Sequence, residues 1–170
     1  MIIDLDSVGN VPKVIETAFE ASEIDLEGES VALAGPVTLT GELQKRDVRV
    51  HLDGRLSADV KLDCTRCLDP VDRHIDEPFT AIFVDAGYET GAKEIEVADA
   101  ALDESLVEGG QIDLAEVARE QLLLALPVQT FCKEDCKGLC PQCGANLNLI
   151  DCKCSDDDID PRWAGLMSLK

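Results

Sequence analysis

"VRVHLDGRLSADVKLDC" spans residues 48–64, and one choice about it decides the fold. Asp53-Gly54 is a dipeptide that commonly closes a two-residue β-hairpin. Yet Val48, Val50, Leu52, Leu56, Ala58, Val60 and Leu62 all stand on even positions, and that parity passes through Gly54 unbroken. A two-residue hairpin would instead pair Leu52 with Arg55 on one face. The continuous period of two predicts a single long strand bent at Gly54, since an interior glycine often marks a bulge or sharp bend.

Both flanks extend the pattern. In "VALAGPVTLTGEL", residues 31–43, the odd positions Val31, Leu33, Val37, Leu39 and Leu43 are apolar, with Gly35 and Gly41 available for bends. Residues 71–84 place Val71, Ile75, Phe79, Ala81 and Phe83 on one face. Three bent strands in series predict a curled antiparallel β-sheet resembling an open barrel. Residues 85–110 are acidic and weakly patterned, and read as a long loop with a short strand at residues 95–97. "IDLAEVAREQLLLALP" then repeats Leu114, Val117, Ala118, Leu122, Ala125 and Leu126 at helical spacing. Asp113 is its N-cap, three residues before Glu116, and Pro127 its stop. The helix is expected to cover the sheet. At the C-terminus, Asp160 and Pro161 read as the start of a second helix facing inward with Trp163, Leu166 and Met167. The expected fold class is α+β, divided into an N-terminal segment (1–30), a sheet-and-helix domain (31–127) and a C-terminal metal-binding module (128–170).

Composition narrows the function classes. The 170 residues are only 4% aromatic, so aliphatic side chains must build the core. A formal charge of −20 opposes non-specific attraction to nucleic acid or anionic lipid and favours a basic partner. The N-terminus has no signal-peptide pattern, and no apolar run approaches the roughly 18 residues of a membrane span. These features place the protein in the cytoplasm, where clustered cysteines read as metal ligands before disulfides.

Eight cysteines sort into four pairs: Cys64 and Cys67, Cys132 and Cys136, Cys140 and Cys143, Cys152 and Cys154. Zinc takes four tetrahedral ligands and accepts thiolate well. "CPQCG" and "CKC" are separated by eight residues, a short loop to close, and Gly144 can take the positive φ that wraps the backbone around an ion. One zinc is therefore assigned to Cys140, Cys143, Cys152 and Cys154. The link from Cys136 to Cys140 can reach roughly 13 Å at ~3.3 Å per residue, enough for these two to serve different ions. A second four-thiolate site is expected from Cys64, Cys67, Cys132 and Cys136, clamping the C-terminal module to the sheet. The competing arrangement has one zinc, with "CTRC" free.

Other chemistries have little support in the sequence. "CTRC" lies between strands, without the helix N-terminus that activates a thioredoxin-type thiol. A redox-regulated zinc-thiol chaperone is the alternative reading, because it too combines C-x-C with C-x-x-C. There is no H-E-x-x-H, P-loop, dinucleotide fingerprint or G-x-S-x-G, and His51 and His74 stand on the polar face. A non-enzymatic protein is expected.

"LDCTRCLDPV", "IDLAEVAREQLLLALPV", "CKEDCKGLCPQCGANLN", "CKC" and "DPRWAGLMSL", in that order, resemble the YceD family of large ribosomal RNA subunit accumulation proteins. The resemblance implies a role in the synthesis, processing or stability of 23S ribosomal RNA, and so in large-subunit biogenesis. It implies no catalytic activity. Together with the acidic charge it points to a basic large-subunit ribosomal protein or a pre-ribosomal ribonucleoprotein as partner. Residues 45–73 are locally different: seven Arg and Lys against six Asp leave +1. Arg49, Arg55 and Arg66 there are candidate RNA contacts, whereas the plainer reading has these cations offset neighbouring carboxylates.

Overall fold

The parity is realised from residue 50 to 62 as one strand, β5 (Arg49–Asp63), whose even positions are buried except at Gly54, while Val48 falls in the turn before it. In the computed structural model, which describes residues 1–26, 31–88 and 103–154, β5 is central to a six-stranded sheet. β4 (Val37–Arg46) pairs with it antiparallel, in the register Leu39↔Leu56, Gly41↔Gly54 and Leu43↔Leu52. β3 (Val31–Leu33) continues that side of β5 after a break at residues 34–36. β6 (Pro70–Asp85) borders β5 on the other side. The odd positions of β4 and the even positions of β5 thus share one buried face, as the alternation predicts.

Gly41 and Gly54 face each other across the ladder. A Cβ on Gly41 would lie 2.7 Å from the Asp53 carbonyl oxygen, and one on Gly54 would lie 2.8 Å from both the Thr40 carbonyl oxygen and the Phe79 ring. The absent side chains let two backbones and an aromatic ring meet where the sheet curls.

The N-terminal residues contribute two strands. β2 (Lys13–Phe19) pairs antiparallel with β4 and buries Ile15 and Phe19. β1 (Ile2–Asp4) forms a separate two-stranded ribbon with β8 (Gln111–Asp113). β7 (Glu104–Val107) runs parallel to β6 at the sheet edge, within a stretch read above as loop. Its side chains are exposed or half-buried, so it leaves no apolar alternation to find. The expected strand at residues 95–97 and the C-terminal helix with Trp163 lie outside the described residues.

The helix forms where its periodicity places it, as α1 (Leu114–Ala125). The Asp113 carboxylate accepts the Ala115 N–H at 3.0 Å, and the N-terminal ammonium of Met1 lies 3.5 Å from it. Leu114, Val117, Ala118 and Leu122 are buried in the same cluster as Leu39, Leu43, Leu52 and Leu56. Pro127 follows the last turn. Among the described residues, no helix is long and apolar enough to cross a membrane.

The chain divides into two compact units. The first, Met1–Leu62 with Asp72–Val128, holds the sheet and α1. The second joins the turn Asp63–Val71 to the residues from Gln129 onward. All eight cysteines belong to the second.

Candidate metal centre

Two Cys-x-x-Cys turns of the same construction organise the second unit. In "CTRCL" the Leu68 N–H donates to the Cys64 carbonyl at 2.9 Å, and in "CPQCG" the Gly144 N–H donates to the Cys140 carbonyl at 2.9 Å. The residue after the second cysteine is left-handed in both, with φ 71° at Gly144 and φ 62° at Leu68. Glycine takes that conformation freely; leucine does so at a cost of about 1–2 kcal/mol, so something at this turn offsets the strain.

The first turn is tied to the C-terminal stretch by several bonds. The Thr65 N–H and hydroxyl both donate to the Thr130 carbonyl, at 2.8 and 3.1 Å. The Arg66 guanidinium stacks 4.3 Å above the Phe131 ring and donates to the Cys136 carbonyl at 2.9 Å. Leu139 N–H returns to the Arg66 carbonyl at 3.0 Å. These contacts bring Cys64, Cys67, Cys132 and Cys136 together, with Cys140, Cys143, Cys152 and Cys154 forming a second group. The sulfur atoms within each group lie within 4.8 Å of one another.

Four thiolates at ~2.3 Å from one zinc form a tetrahedron with edges of about 3.8 Å. The sulfurs of Cys64 and Cys136 are 3.8 Å apart, and those of Cys67 and Cys132 are 3.5 Å apart. The donor set and its spacing fit a tetrahedral, thiophilic dication. The two groups differ in exposure: in the first only Cys132 is exposed, whereas in the second only Cys140 is buried.

The local electrostatics prepare some thiols for ionisation. Burial raises the Cys64 pKa, but backbone N–H groups of Arg66, Cys132 and Cys67 outweigh it and bring the value to about 6. Backbone N–H groups of Cys143 and Gln142 lower Cys140 to about 6. The Asn148 side chain, 3.3 Å away, lowers Cys136. Their neighbours shift the other way. Cys67 is raised, although the Asp69 backbone N–H opposes this, because burial, the Asp69 carboxylate and the adjacent thiols prevail. Burial raises Cys132, and the hydrogen bond that the Cys154 thiol donates to Cys143 pushes Cys154 to about 12. Four thiolates this close repel one another, so each group carries its full charge only around a cation. Binding must displace the remaining protons, and it weakens as pH falls.

The three candidate arginines divide between the two units. Arg49 binds Glu104 at 2.7 Å, Arg55 binds Asp76 at 2.9 Å, and Arg66 belongs to the cysteine-rich unit. Elsewhere on the sheet His74 meets Asp59 at 2.7 Å and Lys61 meets Asp72 at 3.9 Å. Cation–carboxylate pairing is the environment that the structure gives Arg49 and Arg55. Asn148, which sequence reasoning passed over, reaches Cys136, and Asn146 reaches Asp69 beside Cys67.

Comparison with known proteins agrees with the arrangement of these motifs. A family model described as "Large ribosomal RNA subunit accumulation protein YceD" matches residues 52–170, from near the start of β5 through all eight cysteines. The chain belongs to the YceD family. This YceD chain is 29% identical, over 99% of its length, to an uncharacterized protein of Mycobacterium tuberculosis, and covers 81% of that protein. It is 28% identical to the uncharacterized protein YlbN of Bacillus subtilis, over 88% of this chain and 83% of YlbN. It is also 26% identical to the chloroplastic large ribosomal RNA subunit accumulation protein YCED homolog 1 of Arabidopsis thaliana, over 79% of this chain and 49% of that protein. No solved structure matches the YceD chain.

Proposed function

We propose that this YceD protein is a non-enzymatic cytoplasmic factor in the synthesis, processing or stability of 23S ribosomal RNA and in large-subunit biogenesis, with one zinc ion in each cysteine group. The family match over residues 52–170 carries the reading. Zinc is the assignment because four clustered thiolates suit its softness and tetrahedral geometry. With four protein ligands each site is closed to substrate, so the metal's role is structural.

Charge indicates the partner. Four thiolates around one dication carry −2, so two filled sites take the formal −20 to −24. Such a body is repelled by bare phosphates and attracted to a basic ribosomal protein, or to RNA already dressed with one. Arg49 and Arg55 are paired with Glu104 and Asp76, which leaves less positive charge for RNA than their number suggests.

The test is sedimentation of cell extract, followed by binding across a salt series. The protein is expected to travel with large-subunit precursors, and its depletion to lower 23S relative to 16S RNA. Purified protein is expected to bind basic large-subunit proteins at low salt and lose them steeply as salt rises, since exposed charges are screened over about 8 Å at physiological ionic strength. Tight binding to protein-free ribosomal RNA, with no affinity for large-subunit proteins, would overturn the partner assignment.

A further inference from the structure

Residues 146–148 lie between Cys143 and Cys152, inside the loop that the second cysteine group closes, yet the Asn146 and Asn148 side chains turn to the first group. Asn148 Nδ2 donates to Cys136 Sγ at 3.3 Å, while Asn148 Oδ1 accepts the Lys137 N–H at 3.0 Å. The amide therefore bridges a ligand sulfur to the backbone N–H of the next residue. Asn146 holds Asn148 in place: its Oδ1 accepts both the backbone N–H and the side-chain Nδ2 of Asn148, each at 3.0 Å. Asn146 Nδ2 in turn points to Asp69 Oδ2 at 3.4 Å, and that same oxygen accepts the Cys67 thiol at 3.2 Å. Backbone pairing fixes the turn as well. Leu147 N–H donates to the Gly138 carbonyl at 2.9 Å, and Leu139 bridges to Asn146.

We propose that the two metal sites are coupled through Asn148: filling the second site orders the turn whose amide supports a thiolate of the first. The proposal rests on the reading that both cysteine groups bind metal, and adds an order and an interaction that this reading does not contain. The second group closes over eight residues between Cys143 and Cys152, whereas the first must bring Cys67 and Cys132 together across 64 residues. Loop closure favours the shorter one, so the local site forms first. Once formed, it fixes residues 146–148, and Asn148 presents an N–H to Cys136 without a further ordering cost. A hydrogen bond to an ionised acceptor is roughly twice as strong as a neutral one, so this contact favours the thiolate that binds metal. The coupling is reciprocal by thermodynamic necessity: metal in the first site raises affinity at the second by the same factor.

The test titrates the full chain with Co²⁺ against a competing chelator and follows thiolate-to-cobalt absorption. Cys143→Ser with Cys154→Ser isolates the first site, and Cys67→Ser with Cys132→Ser isolates the second. Each site is expected to bind about tenfold more weakly alone than beside its filled partner, by one and the same factor. Asn148→Asp, which keeps the shape and loses the donor, is expected to bring both factors close to one while two ions still bind. The same loss from Asn148→Ala would separate the missing donor from the added charge of Asp. Should the serine variants fail to fold, the unaltered cysteine set still decides through the two-site titration curve, cooperative in the natural chain and additive in Asn148→Ala. Two ions bound independently in the natural chain, or coupling unchanged by both Asn148 substitutions, would overturn the proposal. Absence of cobalt binding altogether would overturn the metal reading beneath it.

Discussion

Stripping the metal with a strong chelator is expected to unfold the turn at residues 63–71 and residues 129–154, and to leave the sheet and α1 folded. Among its described residues the second unit has almost no apolar interior of its own. Its buried cluster is Cys64, Cys67 and Cys136, with Val71 and Leu139 packed against them. From Gln129 onward the described residues contain no helix, and their one β-bridge joins Leu139 to Asn146. Holding about 35 residues in order costs at least ~1 kcal/mol each, far beyond what a handful of buried side chains return at ~1.5–3 kcal/mol apiece. A structural zinc supplies about 10–16 kcal/mol per site, enough to change the outcome. The left-handed Leu68 adds strain that persists only while the Cys64–Cys67 turn is held. Amide hydrogen exchange with and without chelator measures this region by region. Protection is expected to vanish in the cysteine-rich unit and to survive at Leu39, Leu52 and Leu122. Unchanged protection around Cys64 and Cys136 after metal removal would contradict it.

Gly41→Ala is expected to destabilise the sheet-and-helix unit by about 3 kcal/mol, an overpacking cost at the upper end because the obstacles are backbone. The new Cβ would lie 2.7 Å from the Asp53 carbonyl oxygen and 2.9 Å from the Gly54 Cα. Neither atom can swing aside as a side chain can, so β4 and β5 must part where their paired glycines meet. The expected fall in Tm is roughly 10 °C for a unit of this size. Gly54→Ala meets the Thr40 carbonyl and also Phe79, whose ring can rotate to relieve part of the clash. Its loss should be smaller. Thermal unfolding with metal content measured in parallel separates this effect from any change at the cysteines. A Tm within about 1 °C of the natural chain would show that the close approach is not a constraint.

What could be read from sequence depended on whether burial leaves a periodic trace. β5 was legible because seven aliphatic residues keep one parity across 15 positions, and this outweighs the local hairpin signal of Asp53-Gly54. Packing a whole face is worth far more than one turn preference. α1 was legible from both its stripe and its cap. β7 was not, because an exposed edge strand has no need to alternate. β1 and β8 are three residues each, too short to establish a period. At the cysteines, spacing and the supply of four pairs were sufficient to expect the two groupings that the sulfur positions now display. The hydrogen bonds around them were not legible. Asn146 and Asn148 look like ordinary turn residues, and only folding brings their amides to Cys136 and Asp69. For Arg49 and Arg55 the plainer reading, cations offset by carboxylates, was available from sequence, but the particular partners, Glu104 on β7 and Asp76 on β6, were not.

The most direct measurement of the metal-held architecture is elemental analysis of natively purified protein, combined with mass-spectrometric mapping of alkylated thiols. Close to two zinc ions per chain and protection of all eight cysteines are expected. In Cys64→Ser protection is expected to be retained at Cys140, Cys143, Cys152 and Cys154, with Cys67, Cys132 and Cys136 labelled. One zinc or none in the natural chain, with Cys64 and Cys67 freely alkylated, would contradict that architecture.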